Sequence, residues 1–260
     1  MALSRSANIS VTVSATGPIY MGSGLDRVAI CRRRCRFARV SSLPTASDSE
    51  SPPLSLGVLV SGNGSNLQAI LDATGRGELN ARVQLVLSNK PEVRALARAR
   101  AAGVPARCIS HKDYPSREAF DAALVEALRE ARVEWVVLAG FMRLLTPVFL
   151  DAFPWRIVNI HPALLPAFPG VHAQRQALEY GVKLTGCTVH LVDTGTDTGP
   201  ILGQRAVAVR AEDDEASLSA RISKEEHRLL VDVLAAIARG SLTVEPGGAA
   251  ARPRVALELP

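Results

Sequence analysis

Asn159 and His161 are the residues whose types and spacing best suit chemistry in this chain. They end an apolar segment at 157–160 and are followed by Pro162. In an extended backbone, residues two apart point the same way, so the amide and the imidazole would lie side by side. Such a pair can polarise a carbonyl group and move a proton. A rigid His-Pro strand exit with a satisfied core histidine explains the same residues and, from these alone, is preferred.

The other polar candidates carry weaker signals. Asp197 lies in the segment TGTDTGP, where a loop carboxylate can simply hydrogen-bond its own backbone. Glu226 falls within a helical pattern, where a solvated polar face is the simplest explanation. By themselves, Arg117, Met142 and Arg143 indicate little.

A glycine-containing turn at 61–66 joins a strand pattern to a helical pattern in the segment LVSGNGSNLQAI. Two glycines let backbone N–H groups approach an anion at the start of a helix. Leu67 replaces the third glycine of the dinucleotide fingerprint, and the P-loop lysine is missing, so a phosphate monoester suits the turn best. The turn has no fixed positive charge of its own. A tight strand-to-helix turn without a ligand is equally compatible with this segment.

Alternating apolar and helical patterns predict an α/β fold. The predicted strands are 56–60, 83–87, 106–109, 134–139, 156–160, 189–192 and 201–209. The predicted helices are 66–74, 92–102, 116–130 and 215–238, with a short segment at 147–152. Continuous Val, Ile and Leu strands are typical of parallel sheets buried on both faces. Right-handed crossovers then give a single doubly wound, mostly parallel sheet of the Rossmann-like type, with helices on both faces.

Three of the candidate segments directly follow predicted strands, namely 61–66, 140–145 and 159–162. The carboxyl ends of parallel strands meet at one edge, where open α/β sheets bind their ligands. The order of elements therefore predicts one composite site.

The distribution of charge argues against a nucleic-acid partner. The 260-residue chain has a net charge of +5, but residues 1–47 hold seven arginines against one acid. The remaining 23 basic and 24 acidic residues leave the rest of the chain at −1. No apolar run approaches the ~20 residues of a membrane span. The four cysteines indicate free thiols and neither a disulfide framework nor a metal site.

The two ends of the chain differ in composition from its middle. Residues 1–53 are rich in Ser and Arg without sustained periodicity, and we expect a disordered N-terminal extension. A mis-assigned start or a transit peptide for organelle import are the alternatives. One folded domain is expected at 54–244, followed by a loose Gly/Ala/Pro-rich tail at 245–260.

The motifs are far more specific in combination than singly. Five of them occur in this order: SGNGSNLQAI, VVLAGFMRLL, VNIHPALLPAFPGVHAQRQAL, TGCTVHLVDTGTDTGPIL and KEEH. From about residue 54 to residue 242 the chain resembles the phosphoribosylglycinamide formyltransferases, folate-dependent enzymes of purine synthesis. The N-x-H motif with a downstream D-x-G-P is similar to the signature of the wider group that uses 10-formyltetrahydrofolate.

The resemblance implies a role for each candidate residue. Asn159, His161 and Asp197 match the family's catalytic positions. There the amide and a protonated imidazole would stabilise a tetrahedral oxyanion, and the carboxylate would raise the pKa of His161. Contact with the substrate phosphate and sugar is implied for Gly64, Ser65, Asn66 and Glu226. Folate contact is implied for Arg117, Met142, Arg143, Leu144, Leu145 and Asn159.

The implied reaction is direct transfer of a formyl group from 10-formyltetrahydrofolate to the amine of N1-(5-phospho-D-ribosyl)glycinamide, without a metal. The partners would be small molecules, with neither nucleic acid nor membrane. A cytoplasmic monomer or homodimer is expected, unless residues 1–53 direct import into an organelle. One alternative is formyltetrahydrofolate deformylase, whose family carries an extra N-terminal regulatory domain that residues 1–53 are too short to supply. The other is a non-catalytic nucleotide-binding module, which would have no need of Asn159, His161 and Asp197 together.

Overall fold

A seven-stranded sheet forms the centre of the computed structural model, which describes residues 52–245 and 253–259. The expectations for residues 1–51 lie outside these described residues. In chain order the strands are β1 (Leu54–Val60), β2 (Ala81–Ser88), β3 (Ala106–Cys108), β4 (Trp135–Leu138), β5 (Ile157–His161), β6 (Leu184–Leu191) and β7 (Ile201–Ala208). Across the sheet their order is β3-β2-β1-β4-β5-β6-β7. The pairs from β3 to β5 are parallel and those that β6 makes with β5 and β7 are antiparallel, which confirms the predicted mostly parallel sheet.

Six α-helices lie among these strands. They are α1 (Ser65–Gly75), α2 (Arg94–Ala101), α3 (Arg117–Glu130), α4 (Pro147–Leu150), α5 (Ala173–Tyr180) and α6 (Glu215–Ala238). Buried residues of α1, α2 and α6 pack in one core cluster, whereas those of α3 and α4 pack in a second. The sheet separates the two clusters, so its central strands are covered on both faces.

Strand β1 shows why the central strands are continuously apolar. Val58 and Val60 belong to the core cluster of α1 and α6, whereas Leu59 between them belongs to the cluster of α3. Successive side chains of a strand point to opposite faces, so burial of both faces leaves no polar position. This continuous run is what made β1 predictable from the sequence.

The structure differs from the prediction toward the C-terminal part. Strand β6 begins at Leu184, five residues before the predicted start. The early part was missed because Thr185 and Thr188, both buried, interrupt its apolar pattern. Helix α5 was not predicted. The expected loose tail is also not loose where the structure describes it. There, β8 (Thr243–Glu245) pairs antiparallel with β9 (Arg254–Ala256), and the valine at the centre of each packs against the core.

Two of the four cysteines fall within the described residues, and both are free thiols: Cys108 is exposed and Cys187 is buried in β6. Over the same part of the chain, no helix is long and apolar enough to span a membrane.

The start of α3 offers a test of local stability. Ser116 is the N-cap residue, and its hydroxyl accepts a hydrogen bond from the Ala119 amide at 3.1 Å. Ser116→Ala should lower the free energy of unfolding by about 1 kcal/mol, because that amide loses its partner. Ser219→Ala within α6 is the matched control and should leave stability unchanged or slightly raised, since alanine favours a helix interior. Urea unfolding measures both, and equal midpoints would contradict the prediction.

Candidate active site

Ser61 ties together the carboxyl ends of three strands. Its buried hydroxyl donates to Asn89 Oδ1 at 2.7 Å, just beyond β2, and accepts the amide of Met142 at 3.1 Å, beyond β4. Its own amide donates to the Gly140 carbonyl at 3.1 Å. The loops after β1 and β4 therefore meet at one edge of the sheet, as the order of elements predicts.

The turn after β1 closes tightly at Gly64, the N-cap residue of α1. Gly64 has a φ of 73°, and a Cβ there would lie 2.6 Å from the Ala95 Cβ. Both the left-handed backbone and the close contact require glycine. Because glycine has no side chain, nothing from the cap residue occupies the first amides of α1, which begins at Ser65. These amides can therefore donate to an anion.

Helix α6 brings Glu226 to this turn. The carboxyl group is only 8% exposed and hydrogen-bonds the side chains of Asn66 and Ser223. Burial raises the pKa of Glu226 to about 7, so both protonation states are accessible near neutral pH. Asn66 Oδ1 is buried without a hydrogen-bond partner among the described residues. A ligand that donates a hydrogen bond would satisfy this oxygen.

A positive charge that the sequence analysis missed touches the same turn. Arg98 on α2 donates from Nε to the Asn63 carbonyl at 2.9 Å and from a terminal nitrogen to Gln68 Oε1 at 3.0 Å. The turn carries no charged side chain of its own, as expected, but Arg98 brings a positive charge to it from α2. Arg98 is 35 residues from Asn63 in the chain and alternates with other arginines on α2, so no local pattern distinguishes it.

The segment predicted to contact folate follows β4. Met142 and Leu144 expose 67% and 57% of their surface, which is unusual for apolar side chains. Arg117 donates to the Leu144 carbonyl at 2.8 Å, and the Arg143 guanidinium lies 5.4 Å from the centre of the Phe120 ring. Leu145 is half-buried and packs on the core cluster of α3. Helix α3 thus supports a loop that presents apolar side chains outward.

Asn159 and His161 meet at a single carboxylate, that of Asp197. Asn159 Nδ2 lies 3.3 Å from Asp197 Oδ1, and His161 Nδ1 lies 3.3 Å from Asp197 Oδ2. The Gly170 amide also donates to Oδ2 at 2.8 Å. Asp197 adopts a left-handed backbone with a φ of 54°, which directs its side chain into this cluster. The structure thus brings the three residues together.

The alternative in which Asp197 serves only its own loop does not hold. That role belongs to Asp193, whose Oδ1 accepts the Gly195 amide at 3.0 Å and the Thr198 hydroxyl at 2.7 Å. Asp197 is therefore free to contact side chains of the neighbouring strands.

His161 is buried, at 4% exposure, and both of its ring nitrogens face oxygen atoms. Nε2 donates to the Phe168 carbonyl at 2.8 Å, opposite the nitrogen that faces Asp197. Burial lowers the pKa of His161, and the charge of Asp197 and the Phe168 carbonyl raise it by less. Asp197 thus raises the pKa of His161 as expected, but burial outweighs it and the net pKa lies below the ordinary value of histidine.

Asp197 itself remains a carboxylate. Burial raises the pKa of Asp197, but His190, the Gly170 amide and His161 together lower it further, so it lies below its ordinary value. A negative charge is thus held beside His161 at neutral pH.

His190 on β6 is a fourth member of the cluster that the sequence analysis missed. It is buried directly opposite Asn159 in the antiparallel pairing of β5 and β6. Nδ1 lies 2.9 Å from the Leu191 carbonyl and must donate to it, so in the neutral ring Nε2 accepts from Asn159 Nδ2 at 3.1 Å. The two amide hydrogens of Asn159 are then directed at His190 and Asp197. The pairing of Asn159 with His190 depends on the register of β5 and β6, which no residue spacing in the sequence indicates.

Comparison with known proteins places this sheet and site in a family. A formyl transferase family model matches residues 55–234. Over 194 residues the chain is 51% identical to a phosphoribosylglycinamide formyltransferase of Mycobacterium tuberculosis, covering 75% of this chain and 89% of that protein. This chain is 47% identical to the solved structure of glycinamide ribonucleotide transformylase 1 from Symbiobacterium toebii, with a TM-score of 0.75. The match covers 84% of this chain and 99% of that chain.

A third relative is much longer. The trifunctional purine biosynthetic protein adenosine-3 of Drosophila melanogaster is 52% identical over 191 residues, which are 73% of this chain but 14% of that protein. The chain belongs to the formyl transferase family. The resemblance to the phosphoribosylglycinamide formyltransferases, predicted from the motifs, is confirmed.

The position of Asp197 predicts a change in the titration of His161. In Asp197→Asn the neighbouring negative charge is lost while burial remains, so the pKa of His161 should fall still lower. NMR titration of the five histidine rings measures this directly. His227 on α6 serves as the internal control and should titrate unchanged. An unaltered titration of His161 would show that the two side chains are not electrostatically coupled.

Proposed function

We propose that the chain transfers the formyl group of 10-formyltetrahydrofolate to the amine of N1-(5-phospho-D-ribosyl)glycinamide, a step of purine biosynthesis. Membership of the formyl transferase family supports the reaction, and relatives named for this activity support the substrates. The observation that carries the proposal is the meeting of Asn159, His161 and Asp197 at the edge of the sheet. The glycine turn before α1 follows β1, which only β4 separates from β5, and lies at the same edge of the sheet.

The ribonucleotide would bind at the start of α1. Amides of Gly64, Ser65 and Asn66, together with that of Asn63 before them, would donate to the phosphate, each such bond contributing roughly 1.5–3 kcal/mol because the acceptor is charged. Asn66 Oδ1, buried without a partner among the described residues, would accept from a sugar hydroxyl. Glu226 beside it would accept a second hydroxyl when ionised.

The folate would lie along the loop after β4. Exposed Met142 and Leu144 provide the apolar contacts that a flat heteroaromatic ring requires, and the backbone around them provides hydrogen-bonding groups. Arg117 and Arg143 would act mainly by holding this loop, through the Leu144 carbonyl and the Phe120 ring respectively. Asn159 would face the formyl group from β5.

In the reaction the amine attacks the formyl carbon, forming a C–N bond and a tetrahedral oxyanion, and the bond from that carbon to N10 then breaks. The proton lost by the amine reaches N10, through water in our proposal. His161 Nε2 would exchange the Phe168 carbonyl for the oxyanion, and Asn159 would redirect one amide hydrogen to it. Each donor would lower the barrier by about 3–4 kcal/mol. Asp197 would favour the imidazolium form of His161 during this step.

Three parallel reactions test the proposal by following release of the folate product. With the phosphorylated amine, turnover should be fast. With the dephosphorylated amine, kcat/KM should fall more than about a hundredfold, since several bonds to a charged group are lost. Without any amine, release should be negligible.

The variant His161→Ala serves as the control, and its kcat should fall about 10²-fold or more with little change in KM. Formate release at full rate without amine would identify a deformylase. Binding of the ribonucleotide without any consumption of formyl-folate would identify a non-catalytic module. Equal rates in all three reactions would rule out the transferase.

His190 should act by positioning Asn159. His190→Ala removes the acceptor for the Asn159 amide and should lower kcat between about 10- and 100-fold with little change in KM. His190→Gln places a side-chain oxygen near the position of Nε2 and should recover part of that loss. If both variants lose equal activity and equal thermal stability, His190 contributes packing only.

A further inference from the structure

We propose that Arg98 is a positioning residue for phosphate binding. Together with the first turn of α2, it fixes two carbonyls of the 61–66 turn so that the adjoining amides face the phosphate. This inference rests on the proposed function, because it assigns the phosphate of that substrate to the turn. Arg98 does not itself need to touch the substrate.

The peptide bond supplies the first step. In a trans peptide unit the carbonyl of one residue and the N–H of the next point in opposite directions. The Gly62 carbonyl accepts the Ala95 amide of α2 at 3.2 Å, so the Asn63 N–H points away from α2. The Asn63 carbonyl accepts Arg98 Nε at 2.9 Å, so the Gly64 N–H points away as well. Tying two carbonyls to α2 thus directs two amides to the opposite side.

Packing adds to these two hydrogen bonds. Gly64 sits so close to Ala95 that any Cβ on the glycine would overlap the Ala95 side chain. Helix α2 therefore supports the turn at three successive residues, two through carbonyls and one through direct contact. Arg98 is the only hydrogen-bonding side chain among these three attachments.

The electrostatic setting of Arg98 supports the same role. Six other arginines in the described residues form ion pairs, namely Arg76, Arg107, Arg175, Arg205, Arg221 and Arg228. Arg98 forms none within that part of the chain and hydrogen-bonds neutral oxygens of Asn63 and Gln68. Its charge is therefore not cancelled by a bound carboxylate, and it stands behind a turn proposed to bind an anion. Gln68, one turn into α1, holds the guanidinium in place.

The test compares Arg98→Gln and Arg98→Lys with Arg100→Gln, an exposed arginine on the same helix. Arg98→Gln loses both the charge and the planar donor pair, and KM for the phosphorylated amine should rise at least about 10-fold, the effect of losing one bond to a charged group. The kcat value should stay within about twofold, and the dephosphorylated amine should be affected little. Arg98→Lys keeps the charge but lacks the planar pair of N–H donors. Its KM for the phosphorylated amine should lie between the values of Arg98→Gln and the wild type. Arg100→Gln should match the wild type.

A second measurement is independent of turnover. Titration with inorganic phosphate, followed by NMR, should shift the Asn63 and Gly64 amides in the wild type and require at least about tenfold more phosphate in Arg98→Gln. Equal phosphate affinity in the wild type and Arg98→Gln would overturn the role of Arg98. An equal rise of KM in Arg98→Gln with the phosphorylated and the dephosphorylated amine would overturn it as well. If the wild type itself turned over both amines equally, the proposed function would fail instead, so the two failures are distinguishable.

Discussion

The geometry of the site depends on a single, partly buried carboxylate. The partners of Asp197 come from β5, from β6 and from the loop that contains Gly170. A partly buried charge that lost these partners would be destabilising, so the carboxylate favours the arrangement in which they meet. The antiparallel register of β5 and β6, which sets Asn159 opposite His190, is therefore linked to the position of this one side chain.

Backbone strain near the site follows from the same constraint. Of the six non-glycine residues with positive φ in the described part of the chain, two contact His161: Phe168 and Asp197. Such conformations are stable only when the surroundings fix them. Phe168 is fixed through its carbonyl to His161, and Asp197 through its carboxylate. Gly199 lets the Asp197 loop return past β6, because a Cβ there would lie 1.8 Å from the Leu191 carbonyl oxygen.

Features encoded by local patterns could be predicted from the sequence, and features set by long-range register could not. Helix α6 spans Glu215–Ala238 as predicted, because its apolar period lies within one continuous segment. The placement of Asn159 beside His161 followed from strand alternation alone. His190 and Arg98 were missed because each acquires its role from a residue far away in the chain, across a strand pair or between two helices.

The phosphate turn and the His161 cluster use the same physical device at two positions of one sheet edge. In each, one end of a polar group is held by the protein so that its opposite end is aimed. Helix α2 holds the turn carbonyls, and Asp197 holds Nδ1–H of His161 when the ring is an imidazolium. Donors held at fixed positions favour a transition state more than donors on mobile groups, because only their hydrogen-bond acceptor changes when charge arrives. Under the proposed function, binding of the remote phosphate would place the amine against the formyl carbon. The free energy of that contact would then appear in kcat/KM for the phosphorylated amine.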